Sequence, residues 1–330
     1  LDLDKLFSLW TLALAPLIAH IVAGAPEPAY LSSKPPSWVD YVVFWNPTSI
    51  IWRYFTIFDR RLRAKTWNRE ILASTNALFW TTNGWDGSEN MIMEARKHCL
   101  RLPPKSHAAL LSKSFVNTVI VTLQGVLAVY QLTSLDEFNI NLNLGTVFLP
   151  IALLGLVRLP SALWITDDFA YTCYDCDTNS INGPASQKAT ANEAGYYELT
   201  TVPVSDDDTS YAQFRPRTSI HGCIARAVFL IPVLAMATLA VFWVYYVFYA
   251  FSMSMSGTGF FSLMLWLTFS LGSTAIFLLN IARARDITTV VPGVSSVWYR
   301  LYTAALFLLM LGLFIAASME TRETRCGKFT

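Results

Sequence analysis

Hydrophobic positions in this chain gather into long blocks. Six apolar runs stand out, at residues 6–23, 114–130, 144–164, 227–251, 260–281 and 301–317. Each is close to the ~20 residues a helix needs to cross a bilayer. Within them the 3.6-residue periodicity is weak, as when most faces of a helix meet lipid or other helices. The pattern predicts an all-α fold: a polytopic transmembrane helical bundle of about six membrane helices.

Between the first two runs the pattern becomes that of an amphipathic helix. In "WNPTSIIWRYFTIFDRRLRAK" Asn46 is placed to cap and Pro47 suits the first turn. Ile51, Tyr54, Phe55, Phe58 and Leu62 then share one face, with Arg53, Arg60, Arg61 and Arg63 spread over the rest. Two readings fit. The helix lies in the membrane interface with its cations toward anionic lipid, or it packs on the bundle as a juxtamembrane helix. A second short helix is expected in "GWDGSENMIMEARKHC", where Asp86 and Glu89 have the spacing of a capping box.

These elements divide the chain into a first helix (1–24), an aromatic and basic interfacial segment (25–113), and the second and third helices (114–166). A polar loop (167–222), the last three helices (223–318) and a tail (319–330) follow. The first run also has a signal-peptide reading, since Ala23 and Ala25 form an A-x-A pattern; its flank "LDLDK" is more acidic than basic, which favours a retained helix. The polar loop is rich in Ser, Thr, Asn and Asp and is expected to be largely disordered. Its "SDDDTSY" reads as an acidic tether, with Ser205 open to an acid-directed kinase.

Composition agrees with a membrane protein. Hydrophobic residues make up 54% and charged residues 14% of the 330, against about 25% charged in a soluble domain. Lys and Arg concentrate in the first, third and fifth loops, whereas "QLTSLDEFNINLN" and "FSMSMSGTG" have none. The positive-inside tendency puts the charged loops in the cytosol and both termini outside.

The apolar runs contain no Asp, Glu or Lys in their interiors, which argues against an ion-coupled carrier. Their polar residues are His20, Asn117, Gln124, Ser270, Ser273, Thr274, Asn280 and Arg158. Such stripes hold helices together or line a polar path. Arg158 falls at the same end of the bundle as Arg226, Arg283, Arg285 and Arg300, and as Asp167, Asp168 and Asp286. These groups suggest either a structural ring of ion pairs or a pocket for an anionic headgroup. With Arg53, Arg60, Arg61 and Arg63, the five arginines form the candidate lipid- or anion-binding set.

The exit from the third run, "TDDFAYTCYDCD", holds Cys173 and Cys176, and "SIHGCIAR" at the far end of the same loop holds His221 and Cys223. Together they have the composition of a structural zinc site. A disulfide or plain free thiols are the alternatives. No GxSxG, HExxH, Walker or GxGxxG pattern occurs.

"FWNPTSIIWRYFTIFDRRLRAKTWN", "GWDGSENMI" and "TTVVPGVSSVWYR" resemble segments of an uncharacterised family of multi-pass membrane proteins of filamentous fungi. The resemblance implies a eukaryotic membrane context and no activity. The expected function is that of a non-enzymatic integral membrane protein, a transport, channel or scaffold component in a plasma membrane or endomembrane. Membrane lipids with anionic headgroups are its expected partners, with homo- or hetero-oligomers open and no nucleic acid. The rival is a membrane-embedded enzyme acting on a lipid or isoprenoid, with Asp167, Asp168 and Arg158 at a cytosol-facing mouth.

Overall fold

The computed structural model describes residues 14, 17–109, 112–133, 152, 155–172, 214–250 and 256–320. Along the chain run α1 (residues 17–24), β1 (Pro28–Tyr30), α2 (Trp38–Phe44), α3 (Pro47–Arg63) and α4 (Arg69–Asn76). Then come β2 (Leu78–Thr81), β3 (Gly84–Asp86), α5 (Glu89–Ala95), β4 (Cys99–Arg101), α6 (Lys113–Thr133), a 3₁₀ helix (Leu156–Trp164) and β5 (Ala170–Tyr171). The chain closes with α7 (Ile220–Ala250), α8 (Gly257–Ala282) and α9 (Val297–Glu320).

The fold is mostly helical. Among the described residues three helices, α7, α8 and α9, are long and apolar enough to cross a bilayer, and α6 contributes a shorter apolar stretch, Lys113–Leu127. Six spans are therefore more than the described helices supply. The third apolar run departs from expectation. Where it is described it tightens into the 3₁₀ helix with Pro160 inside, a residue that lacks the N–H an α-helix interior requires. Gly125 of α6 lets this segment approach: a Cβ there would stand 2.6 Å from Leu156 Cγ and 3.0 Å from the Ala152 carbonyl oxygen.

The amphipathic segment forms a helix as its caps foretell, with Asn46 Oδ1 accepting from the Thr48 N–H at 3.0 Å. It does not lie on a surface. Ile51, Trp52 and Phe55 pack into the cluster containing Phe229 of α7 and Phe277 of α8. Ile50, Tyr54 and Ile57 pack on the other side against Ile165. Phe55 stacks on Phe229 with ring centroids 4.3 Å apart, and Trp52 stacks on Phe277 at 5.8 Å. The interfacial reading set the cations toward lipid; Arg53, Arg60 and Arg63 are instead buried. The cause is a supply of acceptors inside the protein.

Arg60 donates to the carbonyls of Gly87 and Ile287. Arg63 pairs with Asp59 at 2.7 Å and with Glu89, and donates to the Arg215 carbonyl at 3.2 Å. Asp286, fully buried, receives Arg217 and Arg226, each at 2.7 Å. Trp52 Nε1 donates to the Thr288 carbonyl at 2.9 Å. Segments from the first, third and fifth loops thus meet in one cap around α3, where α7 and α9 begin and α8 ends. At the opposite end Glu320 accepts from the backbone N–H groups of Gly257 and Thr258, joining α9 to the start of α8.

The all-α expectation missed two small sheets. β1 pairs parallel to β2, and β2 pairs antiparallel to β3 with Trp80 opposite Trp85. Gly84 closes that hairpin at φ 98°, a conformation open to glycine. β4 pairs with β5, which ties the first loop to the exit from the third run. The helix expected near "SENMIMEA" is α5; its cap is Ser88 rather than the Asp86–Glu89 pair, and Asp86 accepts from the Ser88 N–H at 2.8 Å.

Candidate functional site

Where α1 ends and α6 begins, an open cavity of about 380 Å³ lies beside α3. Small-molecule sites usually span about 300–1,000 Å³. Three of its walls come from the ends of apolar runs: Val22 and Ala23 from α1, Lys113 and Asn117 from α6, Thr166 and Asp167 from beyond the 3₁₀ helix. Polar residues at the edges of apolar runs, all on one side of the bundle, were the sequence signal for this place. No local motif marks it.

Arg53, from the middle of α3, is the buried charge in the lining. Its Nη1 donates to the Gly24 carbonyl at 2.8 Å, and its Nη2 to the Asn76 carbonyl at 2.7 Å and to Asn76 Oδ1 at 3.4 Å. Its Nε has no partner among the described residues. A guanidinium offers five N–H donors, so this one keeps donors in reserve, and it makes no ion pair among the described residues. Burial pulls its pKa down to about 10; the nearby Arg158 also lowers it, while Tyr54 and Asp167 act in its favour. Arg53 is still a cation at neutral pH.

Arg158 frames the cavity. Also buried, it donates from Nε to Thr118 Oγ1 at 2.8 Å, from Nη2 to the Ser114 carbonyl at 3.1 Å, and from Nη1 to Tyr54 Oη at 2.9 Å and to the Ala23 carbonyl. Its guanidinium stands 5.1 Å from the centre of the Tyr54 ring. One side chain therefore joins α1, α3 and α6, using carbonyls and hydroxyls where an ion-pair ring would use carboxylates.

The other candidates separate. Asp167 lines the cavity, but Asp168 turns outward to Arg101 at 3.2 Å, so the two acids do not converge. Arg61 lies between the rings of Trp67 and Trp164, 5.5 and 5.3 Å from their centres. Arg226 is held by Asp286, and Arg300 by Asp40 at 3.1 Å. Arg283 and Arg285 are exposed and make no ion pair among the described residues. Of the polar helix residues, Ser273 bonds Thr48 at 2.8 Å, and Thr274 and Asn280 bond back to carbonyls of their own helix. The first of these joins α8 to α3; Asn117 is the polar helix residue that reaches the cavity.

Cys173 and Cys176 lie outside the described residues. His221 and Cys223 are exposed at the start of α7. Among the described residues no group of three or more His, Cys, Asp or Glu is placed to hold a metal. A second cavity, of about 260 Å³, lies among Ile21, Trp45, Leu265, Phe269 and Met310. Its lining has no charged side chain, so charge recognition belongs to the first. No family model matches the chain, and neither a curated protein nor a solved structure matches it.

Proposed function

We propose that this chain is a multi-pass membrane protein that binds a ligand rather than converting one, its cap on the cytosolic face and its cavity at headgroup depth. The ligand carries an anionic group, which Arg53 receives. One observation carries this reading: a buried guanidinium in the cavity lining, in no ion pair among the described residues and with unused donors. A charge so placed is unfavourable when empty and is relieved by an anion. The divergence of Asp167 and Asp168 weighs against the enzymatic alternative. Of the candidate arginines, Arg283 and Arg285 are left to face anionic lipid outside the cavity.

The test is titration of the purified full chain in non-ionic detergent with glycerol 3-phosphate, read by calorimetry and thermal shift. Arg53→Gln is expected to weaken binding at least tenfold while Arg285→Gln leaves it unchanged. Asn117→Trp, which fills the cavity from α6 and leaves Arg53 intact, should also abolish binding. Undiminished binding by Asn117→Trp would refute the assignment, even if Arg53→Gln failed to fold.

A further inference from the structure

The cavity lining carries charge of both signs. Beyond Arg53, three exposed charged side chains line it: Glu27 between α1 and β1, Lys113 at the start of α6, and Asp167 after the 3₁₀ helix. None of the three makes a salt bridge among the described residues, although opposite charges share the one cavity. Two cations and two carboxylates leave the lining with no net formal charge. A simple anion would meet Arg53 favourably and the two carboxylates unfavourably. A ligand with a cation a short distance from its anion satisfies both.

From this we infer that the site takes a zwitterion: its phosphate or carboxylate on Arg53 with Lys113 alongside, its ammonium between Glu27 and Asp167. Phe169 and Tyr171 also line the cavity, with ring centres 5.8 Å apart, and aromatic side chains are compatible with an organic cation. This rests on the anion-binding reading above and adds to it the second charge and the class of ligand. The chemistry has two sources, a phospholipid headgroup or a soluble zwitterion. Exposed apolar side chains on the same two helices, Val22 on α1 and Val116 and Val119 on α6, give acyl chains a surface beside the cavity.

The experiment uses the full chain in maltoside detergent and four probes: phosphatidylethanolamine, its deacylated headgroup glycerophosphoethanolamine, phosphatidic acid, and glycerol 3-phosphate. The wild type should bind phosphatidylethanolamine at least tenfold tighter than phosphatidic acid and, where the headgroup alone binds, glycerophosphoethanolamine at least tenfold tighter than glycerol 3-phosphate. In the double variant Glu27→Gln, Asp167→Asn this preference should vanish, while glycerol 3-phosphate binds as well as before or better. Both substituted residues are exposed and outside ion pairs, so folding is not at stake. Tight binding of the lipid without the headgroup assigns the lipid source; tight binding of both assigns a soluble zwitterion. If wild type binds phosphatidic acid as tightly as phosphatidylethanolamine, or glycerol 3-phosphate measurably and as tightly as glycerophosphoethanolamine, the zwitterion inference fails and the anion site stands. If it binds none of the four, both fail.

Discussion

Replacing Phe55 by alanine tests the central feature of the fold, an amphipathic helix enclosed by protein. Phe55 is 1% exposed and Phe229, on which it stacks, is equally buried. Removing the ring forfeits its transfer free energy, about 2–3 kcal/mol. The space left is bounded by Trp52, 5.4 Å away, and by Phe229 on α7, a long helix whose packing against α8 limits collapse. The residual cavity brings the expected loss to about 3–5 kcal/mol. Part of it belongs to the ring pair itself, at 4.3 Å and 20° between planes. A double-mutant cycle with Phe55→Leu and Phe229→Leu should return a coupling of about 0.5–1.5 kcal/mol. Denaturant titration of the detergent-solubilised protein measures both quantities, with Trp298→Ala as control, since that ring is 81% exposed. A loss under about 1 kcal/mol with no coupling would return the face of α3 to lipid and refute the packing argument.

Three further outcomes are expected. Arg158→Lys should destabilise by at least about 2 kcal/mol in the same titration, because one ammonium cannot reproduce a guanidinium's contacts with α1, α3 and α6. Burial raises the Asp59 carboxyl to about 6, outweighing the attraction of Arg63, against about 3.9 when unfolded. The folded state therefore holds this proton more tightly, and Asp59's contribution to stability falls as pH rises from about 4 to about 6, then levels off. Melting curves across that range should show Asp59→Asn gaining on wild type up to pH about 6 and running parallel above it. Ala284 sits at φ 59° where α8 ends, and its N–H and that of Arg285 bond back to the carbonyls of Ile281 and Asn280, a helix end that glycine serves best. Ala284→Gly should raise stability by about 1 kcal/mol, since the strain relieved exceeds glycine's entropic disadvantage.

How much of this was legible differs by element. The start of α3 was, because Asn46 and Pro47 act on neighbours two residues away or fewer. The long helices α7 to α9 were, because run length against bilayer thickness is a property of one segment alone. The 3₁₀ turn at Leu156–Trp164 was only half legible: Pro160 announces trouble for an α-helix without saying which conformation replaces it. The sheets were not, since β1 and β4 are three residues long and exist only through partners far along the chain.

The burial of α3 and the shape of the cavity beside it were decided by tertiary structure. An amphipathic pattern records that a helix has an apolar face and a charged face, and it reads the same whether the charged face meets water, headgroups or protein. What decides is whether acceptors wait inside. Arg53 finds Asn76 23 positions away, and Arg60 finds Ile287 227 positions away; the acceptors are mostly backbone carbonyls, which every residue has and no sequence pattern marks. The same holds for the cavity, whose floor, rim and frame come from Arg53, Glu27, Lys113, Asp167 and Arg158. The sequence alone determined that this chain has apolar helices with charged loops on one side of them. Only the folding of those loops around α3 decided which arginines are consumed in holding the cap together and that Arg53 keeps donors free, because hydrogen-bond partners are assigned by proximity in space.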